Sequence, residues 1–327
     1  MDSKYETLKK QLGEKVRLNE PLALYTTYKV GGPADLFFEA STGDELVKAV
    51  TLARSLTIPV FVLGGGSNIL VGDGGFRGLV VKNNTSEIAI RGMKGKVRGM
   101  NQESLVYVEV DSGVPMNKLV RFTIEEGLSG LEMHLGLPGT VGGAIFMNSK
   151  WMKNENFIGD VVHQATILPS DTIPKTVKKD YFQFSYGKSS LQKTDDILIS
   201  VIFELRKSNK ETLWTHANES VTYRRETQPQ GVLTAGCVFK NITPADAMNA
   251  GTPDHTTSAG FLLDHAGCKG LKTGGAEVSP VHANFIITHA GATASDVIRL
   301  IRIMKKNVGK KFRVTLKEEI QLVGEFT

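Results

Sequence analysis

Val62-Leu-Gly-Gly-Gly-Ser-Asn-Ile-Leu-Val-Gly-Asp-Gly-Gly-Phe76 sets a glycine-dense turn between apolar residues, and Gly136-Leu-Pro-Gly-Thr-Val-Gly-Gly143 repeats the pattern downstream. Glycine lets backbone approach a ligand closely and leaves N–H groups exposed, which holds a diphosphate without a metal. Two such loops predict one large anionic cofactor clamped from two sides. For either loop alone, a tight turn between strands is the competing reading. The familiar nucleotide signatures are missing. Ile69 stands where a dinucleotide fingerprint starting at Gly64 needs its third glycine, and Phe182 stands where a phosphate loop ending Gly187-Lys188-Ser189 needs its first.

A chain of 327 residues, 41% hydrophobic and 22% charged, buries substantial cores and is not disordered. No apolar run reaches membrane-spanning length, and the start Met1-Asp-Ser-Lys-Tyr-Glu-Thr is polar without a signal core. A soluble cytoplasmic protein, a monomer, is therefore expected. Cys237 and Cys268 give neither a disulfide framework nor a metal site. The formal charge of +5 is dispersed, and its densest run (Lys305-Lys306 with Lys310-Lys311) closes a helix, where cations suit the dipole. That distribution argues for a small anionic ligand over nucleic acid.

Outward from the loops the chain reads as mixed α/β. Thr42-x-x-Glu45 is a capping box before a helix with Leu46, Val47, Val50 and Ala53 on its apolar face. Pro59–Leu63 is a short strand feeding the first loop, with Gly78–Lys82, Leu105–Val110 and Ile197–Phe203 as further strands. Pro115–Glu126 has helical spacing and stops at Gly127. A composition shift at Lys207-Ser-Asn-Lys-Glu211 precedes a helix near Glu211–Arg225. Ser295 is read as the cap of a helix carrying Val297, Ile298, Ile301 and Met304. The closing strand, Arg313–Val323, alternates with Val314, Leu316, Ile320 and Leu322 on one side.

Thr27-Tyr-Lys-Val-Gly-Gly-Pro-Ala-Asp35, Leu63–Leu70, Gly127-Leu-Ser-Gly-Leu-Glu132 and Gly136–Ala144 with Met147-Asn148 occur in order. Ala235-Gly-Cys-Val-Phe-Lys-Asn241 and Gly274-Gly-Ala276 with His282-Ala-Asn-Phe285 follow. Each motif is weak alone; their joint order and spacing, across roughly residues 20–324, closely resemble the UDP-N-acetylenolpyruvoylglucosamine reductase family. The resemblance implies a mixed α/β, α+β chain with an FAD-binding fold of the vanillyl-alcohol-oxidase (PCMH) type. Residues 1–85 and 86–207 would form two FAD-binding subdomains and residues 208–312 an α+β substrate-binding domain, with 313–327 returning to the active site. The His282–Phe285 segment looks like the family's shorter subclass.

The activity implied is reduction of UDP-N-acetylenolpyruvoylglucosamine to UDP-N-acetylmuramate for peptidoglycan, with FAD bound non-covalently and NADPH as co-substrate. Hydride from flavin N5 to the terminal enolpyruvyl carbon leaves negative charge on the adjacent carbon and its carboxylate. That charge needs electrophilic stabilisation, and the carbon needs a proton. The family's proton-donating serine falls on Cys237. A thiol with an unperturbed pKa of about 8.5 can give up a proton, although a buried inert cysteine is the plainer reading. The family's glutamate falls on Glu319. Strict alternation puts the neighbouring alternative, Glu318, with Val314 and Leu316, and turns Glu319 to the opposite side.

The family's arginine, directly after a tyrosine, falls on Gly187 in Tyr186-Gly-Lys-Ser189. Lys188 supplies charge but no bidentate grip on a carboxylate, and losing one preorganised contact typically costs about 2.7–4 kcal/mol. A flavin oxidase of the same fold, or a flavin- or nucleotide-binding paralogue with impaired chemistry, are the rival readings. The resemblance assigns substrate to Tyr186, Lys188, Arg225, Lys240, Asn241, Lys269 and His282. It assigns FAD to Gly31, Gly32, Leu63, Gly64, Gly65, Gly66, Ser67, Asn68, Ile69, Leu137, Pro138, Gly139, Thr140, Gly142, Gly143, Ala144 and Arg225, with no metal. Two further departures are Asn148-Ser-Lys-Trp-Met-Lys153, where the family continues with alanine, glycine and tyrosine, and an insertion from Pro244 to Ser258.

Overall fold

The computed structural model describes residues 3–98, 101–151 and 156–326. Met152 and Lys153, part of one departure noted above, lie outside the described residues. The chain divides into two compact units. One comprises Met1–Arg17, Leu36–Gly65 and Leu79–Arg224; the other comprises Leu18–Asp35, Gly66–Gly78 and Arg225–Thr327. Helices and sheets mix throughout, as expected. Among the described residues, no helix is long and apolar enough to cross a membrane.

In the first unit, strand Val60–Leu63 pairs in parallel with Phe76–Asn83, from Val60 opposite Leu79 to Leu63 opposite Lys82. Parallel neighbours cannot be joined by a tight hairpin. The chain therefore leaves the end of Val60–Leu63 on a long return, and that return is the first glycine loop. The helix Gly43–Ser55 buries Leu46, Ala49, Val50 and Ala53. Thr42 accepts the Glu45 N–H, but Glu45 reaches back to the Ser41 N–H, so the reciprocal half of the predicted capping box is displaced by one residue.

An antiparallel sheet follows, ordered Lys175–Lys178, Val162–Leu168, Ile197–Lys207, Asn101–Asp111 and Ile88–Arg98, with Leu128–Ser129 also pairing with Ile197–Lys207. Helices Met116–Glu125 and Val141–Met147 contribute Leu119, Val120, Ile124 and Ile145 to its core. Helix Lys210–Thr227 joins this core through Leu213 and Ala217, so the composition shift before it does not start a new core.

The second unit centres on helix Ala294–Phe312, whose Val297, Leu300, Ile301 and Met304 are buried. Thr293, not Ser295, caps it, accepting the Asp296 N–H while Asp296 accepts the Thr293 N–H. Residues Pro244–Ala250 of the insertion form a helix. The closing strand is shorter than predicted. Only Gln321–Val323 is strand, parallel to Ile69–Val71, and Leu322 is 49% exposed while Ile320 is buried. Val314, Leu316 and Ile320 are buried as the alternation predicts, and it breaks at Leu322, past the bend at Ile320 that leads into the short strand.

Candidate active site

The first loop carries the strongest local signal. Among the described residues, the N–H groups of Gly64, Gly65, Gly66, Ser67 and Asn68 find no acceptor in the protein. Consecutive unpaired donors are what a diphosphate needs and what a structural turn avoids. A Cβ on Gly65 would stand 2.6 Å from the Gly139 Cα, and one on Gly64 2.5 Å from the Thr140 hydroxyl oxygen, so the two loops touch backbone to backbone at this point. The residues present fit FAD.

One residue missed by sequence reasoning governs this cradle. Lys82, half-buried at the strand position opposite Leu63, donates from Nζ to the Gly64 carbonyl at 2.6 Å. A trans peptide points its C=O and N–H in opposite directions, so holding the Gly64 oxygen fixes the Gly65 N–H facing away from Lys82. Burial lowers the Lys82 pKa, opposed by the Glu39 charge. As a lone lysine in a strand it carried no sequence signal.

The second loop is largely satisfied internally. Gly136 donates to the Asn117 side chain, Leu137 to the His134 carbonyl, Val141 to Val114, Gly142 to Ser112 and Gly143 to Thr140. Among the described residues only the Gly139 and Thr140 N–H groups of this loop lack an acceptor. His134 is fully buried beneath it, and burial pulls its pKa down to about 4, with the Arg224 charge adding and the Ser149 carbonyl opposing.

Tyr186 and Gly187 occupy a two-residue turn in which the Ser185 and Lys188 backbones exchange hydrogen bonds of 3.1 Å. Gly187 has φ +61, a left-handed conformation that disfavours any larger residue, so the arginine's absence is built into the turn. Lys188 is exposed. The Lys150 Nζ lies 4.6 Å from the Tyr186 ring centroid.

In the second unit, the backbone segments that carry Cys237 and Glu319 run side by side. The Glu319 N–H donates to the Val238 carbonyl at 2.7 Å, Phe239 bridges Glu318, and the Lys240 N–H donates to the Lys317 carbonyl. Glu318 pairs with Lys305 at 2.8 Å, which separates it from the role considered for Glu319. The Asn68 side chain donates to the Glu319 carbonyl at 3.3 Å, and the Gln321 N–H to the Asn68 carbonyl at 2.9 Å. The end of the first loop is therefore tied to the segment bearing the carboxylate.

Gly31 and Gly32 lie against Val71–Gly75, with the Gly32 N–H on the Gly72 carbonyl, and so brace the loop's far half. Asp73 anchors that half, accepting from the Ala294 and Ser295 N–H groups at 2.7 and 2.9 Å and from the Ser295 hydroxyl. Burial works against its charge, but the bonds from Ser295 and Ala294 prevail and hold its pKa below the usual range.

The other predicted residues scatter in character. His282 packs over Gly260 and accepts the Asn284 N–H on Nδ1, and burial lowers its pKa. Lys269 pairs with Asp264, the Asn241 side chain accepts the Ala259 N–H, and Arg225 is exposed. Buried Asn284, unremarked inside its own motif, accepts the Phe239 N–H and donates to the Phe239 carbonyl, fixing the Cys237 segment.

Residues 34–172 match the family model of an FAD binding domain. The chain is thus an FAD-dependent oxidoreductase by class. Residues 228–323 match the UDP-N-acetylenolpyruvoylglucosamine reductase C-terminal domain. A UDP-N-acetylenolpyruvoylglucosamine reductase of Halalkalibacterium halodurans is 36% identical over 96% of each chain, and one of Anoxybacillus flavithermus 36% over 94% of each. The crystal structure of that reductase from Thermus caldophilus superposes with a TM-score of 0.71 at 30% identity, covering 94% of this chain and 98% of its own. The chain belongs to the UDP-N-acetylenolpyruvoylglucosamine reductase family.

Proposed function

We propose that the protein reduces the enolpyruvyl double bond of UDP-N-acetylenolpyruvoylglucosamine to give UDP-N-acetylmuramate. It would act in the cytoplasm, in peptidoglycan precursor synthesis, with NADPH as the source of electrons. The observation that carries the reading is the joining of Cys237 and Glu319 on adjacent backbone segments, themselves tied through Asn68 to the loop with unpaired N–H groups.

FAD, when bound, would supply the hydride chemistry that carries the NADPH electron pair to the substrate. The N–H groups of Gly64 to Asn68 hold its diphosphate, and Lys82 keeps the Gly65 donor turned outward. Cys237 gives its proton to the substrate carbon that has gained negative charge, and Glu319 assists beside it. Asn284, bonded to Phe239 at both backbone groups, holds the thiol's segment in place. Tyr186 and Arg225 bind the UDP-sugar, and the part of residues 208–312 that follows the helix Lys210–Thr227 supplies the substrate-binding domain. Purified protein is expected to be yellow and to oxidise NADPH in proportion to added enolpyruvyl sugar. NADPH consumption indifferent to the sugar overturns the reading in favour of an oxidase.

A further inference from the structure

Gly187 leaves the developing carboxylate charge without the guanidinium that the reaction calls for, and the left-handed turn at φ +61 works against restoring it. Lys188 is exposed and, among the described residues, its ammonium is not held over the Tyr186 ring. A different cation does stand at the turn. Lys150 lies in the segment following the second glycine loop, where its backbone bridges Phe157. Its ammonium sits over the Tyr186 ring at 4.6 Å from the centroid and 6.0 Å from that of Phe157.

Hydrogen bonds tie the scaffold between them. Asn148 accepts the Gly159 N–H at 3.1 Å and donates to the Ser185 carbonyl at 3.0 Å, so one buried side chain joins the start of the Lys150 segment to the Tyr186 turn. Gln192 donates to both the Phe146 and Gly187 carbonyls, and Ser189 to Phe146, fixing the turn from its other side. Among the described residues Lys150 forms no ion pair. A half-buried ammonium held over an aromatic face without a carboxylate partner keeps its charge available for an incoming anion.

We infer that Lys150 supplies the positive charge for the enolpyruvyl carboxylate beside Tyr186, in place of the arginine side chain that Gly187 lacks. The assignment rests on the reduction proposed above. An ammonium binds as a point charge, so the grip is less directional than a guanidinium fork, yet it neutralises the same developing charge. The turn is then free to keep its glycine, and the two departures, at 150 and at 187, compensate each other.

The test compares wild type, Lys150→Met and Lys150→Arg, each carrying its flavin, by steady-state kinetics and by calorimetric binding of the enolpyruvyl sugar. Lys150→Met is expected to lower kcat/KM by about 100-fold, the usual scale for losing one preorganised electrostatic contact, with Lys150→Arg recovering most of it. The substrate amide, which lacks the carboxylate charge, is expected to bind wild type and Lys150→Met equally. A role confined to stacking under Tyr186 predicts equal losses for the charged and neutral ligands, and that result overturns the assignment. So does a Lys150→Met variant as active as an active wild type. A wild type inert toward the sugar overturns the proposed reduction together with it.

Discussion

The two glycine loops look alike in sequence and differ in what their backbones do. The first leaves the N–H groups from Gly64 through Asn68 unspent, and a half-buried lysine beneath it fixes a peptide plane. The second spends its donors on Asn117, His134, Val114, Ser112 and Thr140, and starts the helix Val141–Met147. Glycine density alone does not say which of two jobs is served: leaving donors for a ligand, or letting two chain segments pack without a Cβ between them. The first loop leaves donors for a ligand, and the second packs against it backbone to backbone.

The sharpest break is Gly65→Ala. Its Cβ would stand 2.6 Å from the Gly139 Cα, a backbone atom that no rotamer change can move aside. The loops must then part, and the row of donors is lost with their spacing. FAD affinity is expected to fall by at least about 100-fold, the scale of several charge-assisted bonds. Fluorescence titration of the apoprotein with FAD measures it. A variant that binds FAD as tightly as wild type shows that the contact does not set the cradle.

The second loop is probed by acid. The His134 pKa is lowered to about 4 in the fold, against about 6.5 for an unfolded imidazole. Between those values the unfolded chain binds a proton that the folded chain refuses. Stability is therefore complete above about pH 6.5 and declines as pH falls toward 4, by on the order of 2–3 kcal/mol from this group. Urea unfolding across that window is expected to show a shallower slope in His134→Gln than in wild type. Parallel slopes would mean that other groups carry the acid sensitivity.

How much of this was legible follows from the kind of signal each feature leaves. The loops, the capped helix before them and the strand at Ile197 announce themselves through glycine, capping chemistry and apolar runs. Motif order located Cys237 and Glu319 on segments that the fold brings together, because backbone pairing there is what the motif encodes. Lys82 and Lys150 were invisible, since a lysine's partner is a carbonyl or a ring far away in sequence. Ser295 was mistaken for a cap because serine is a good one; its N–H and hydroxyl are instead spent on Asp73, which no local pattern reveals. The final strand was overextended for a related reason, as the apolar alternation from Val314 to Ile320 reports burial while only Gln321–Val323 is strand.

Lys82→Met tests the first loop more gently. The Gly64 carbonyl loses its donor, the Gly65 peptide is freed to rotate, and FAD affinity is expected to weaken about tenfold, one hydrogen bond to a charged group. Unchanged affinity would show that the strand alone orients the peptide. The smallest effect belongs to Gly143→Ala in the second loop. Its Cβ would meet nothing closer than the Thr140 hydroxyl oxygen at 3.8 Å, and Gly143 lies within the helix Val141–Met147. Alanine favours a helix over glycine by roughly 0.5–1 kcal/mol, so the melting temperature should rise slightly while FAD affinity stays within about threefold. A loop that only packs tolerates that methyl group, whereas a surface pressed against the cofactor does not. A Gly143→Ala protein that loses its flavin would make the second loop a binding surface like the first, and the contrast between them would lie only in how many donors each presents.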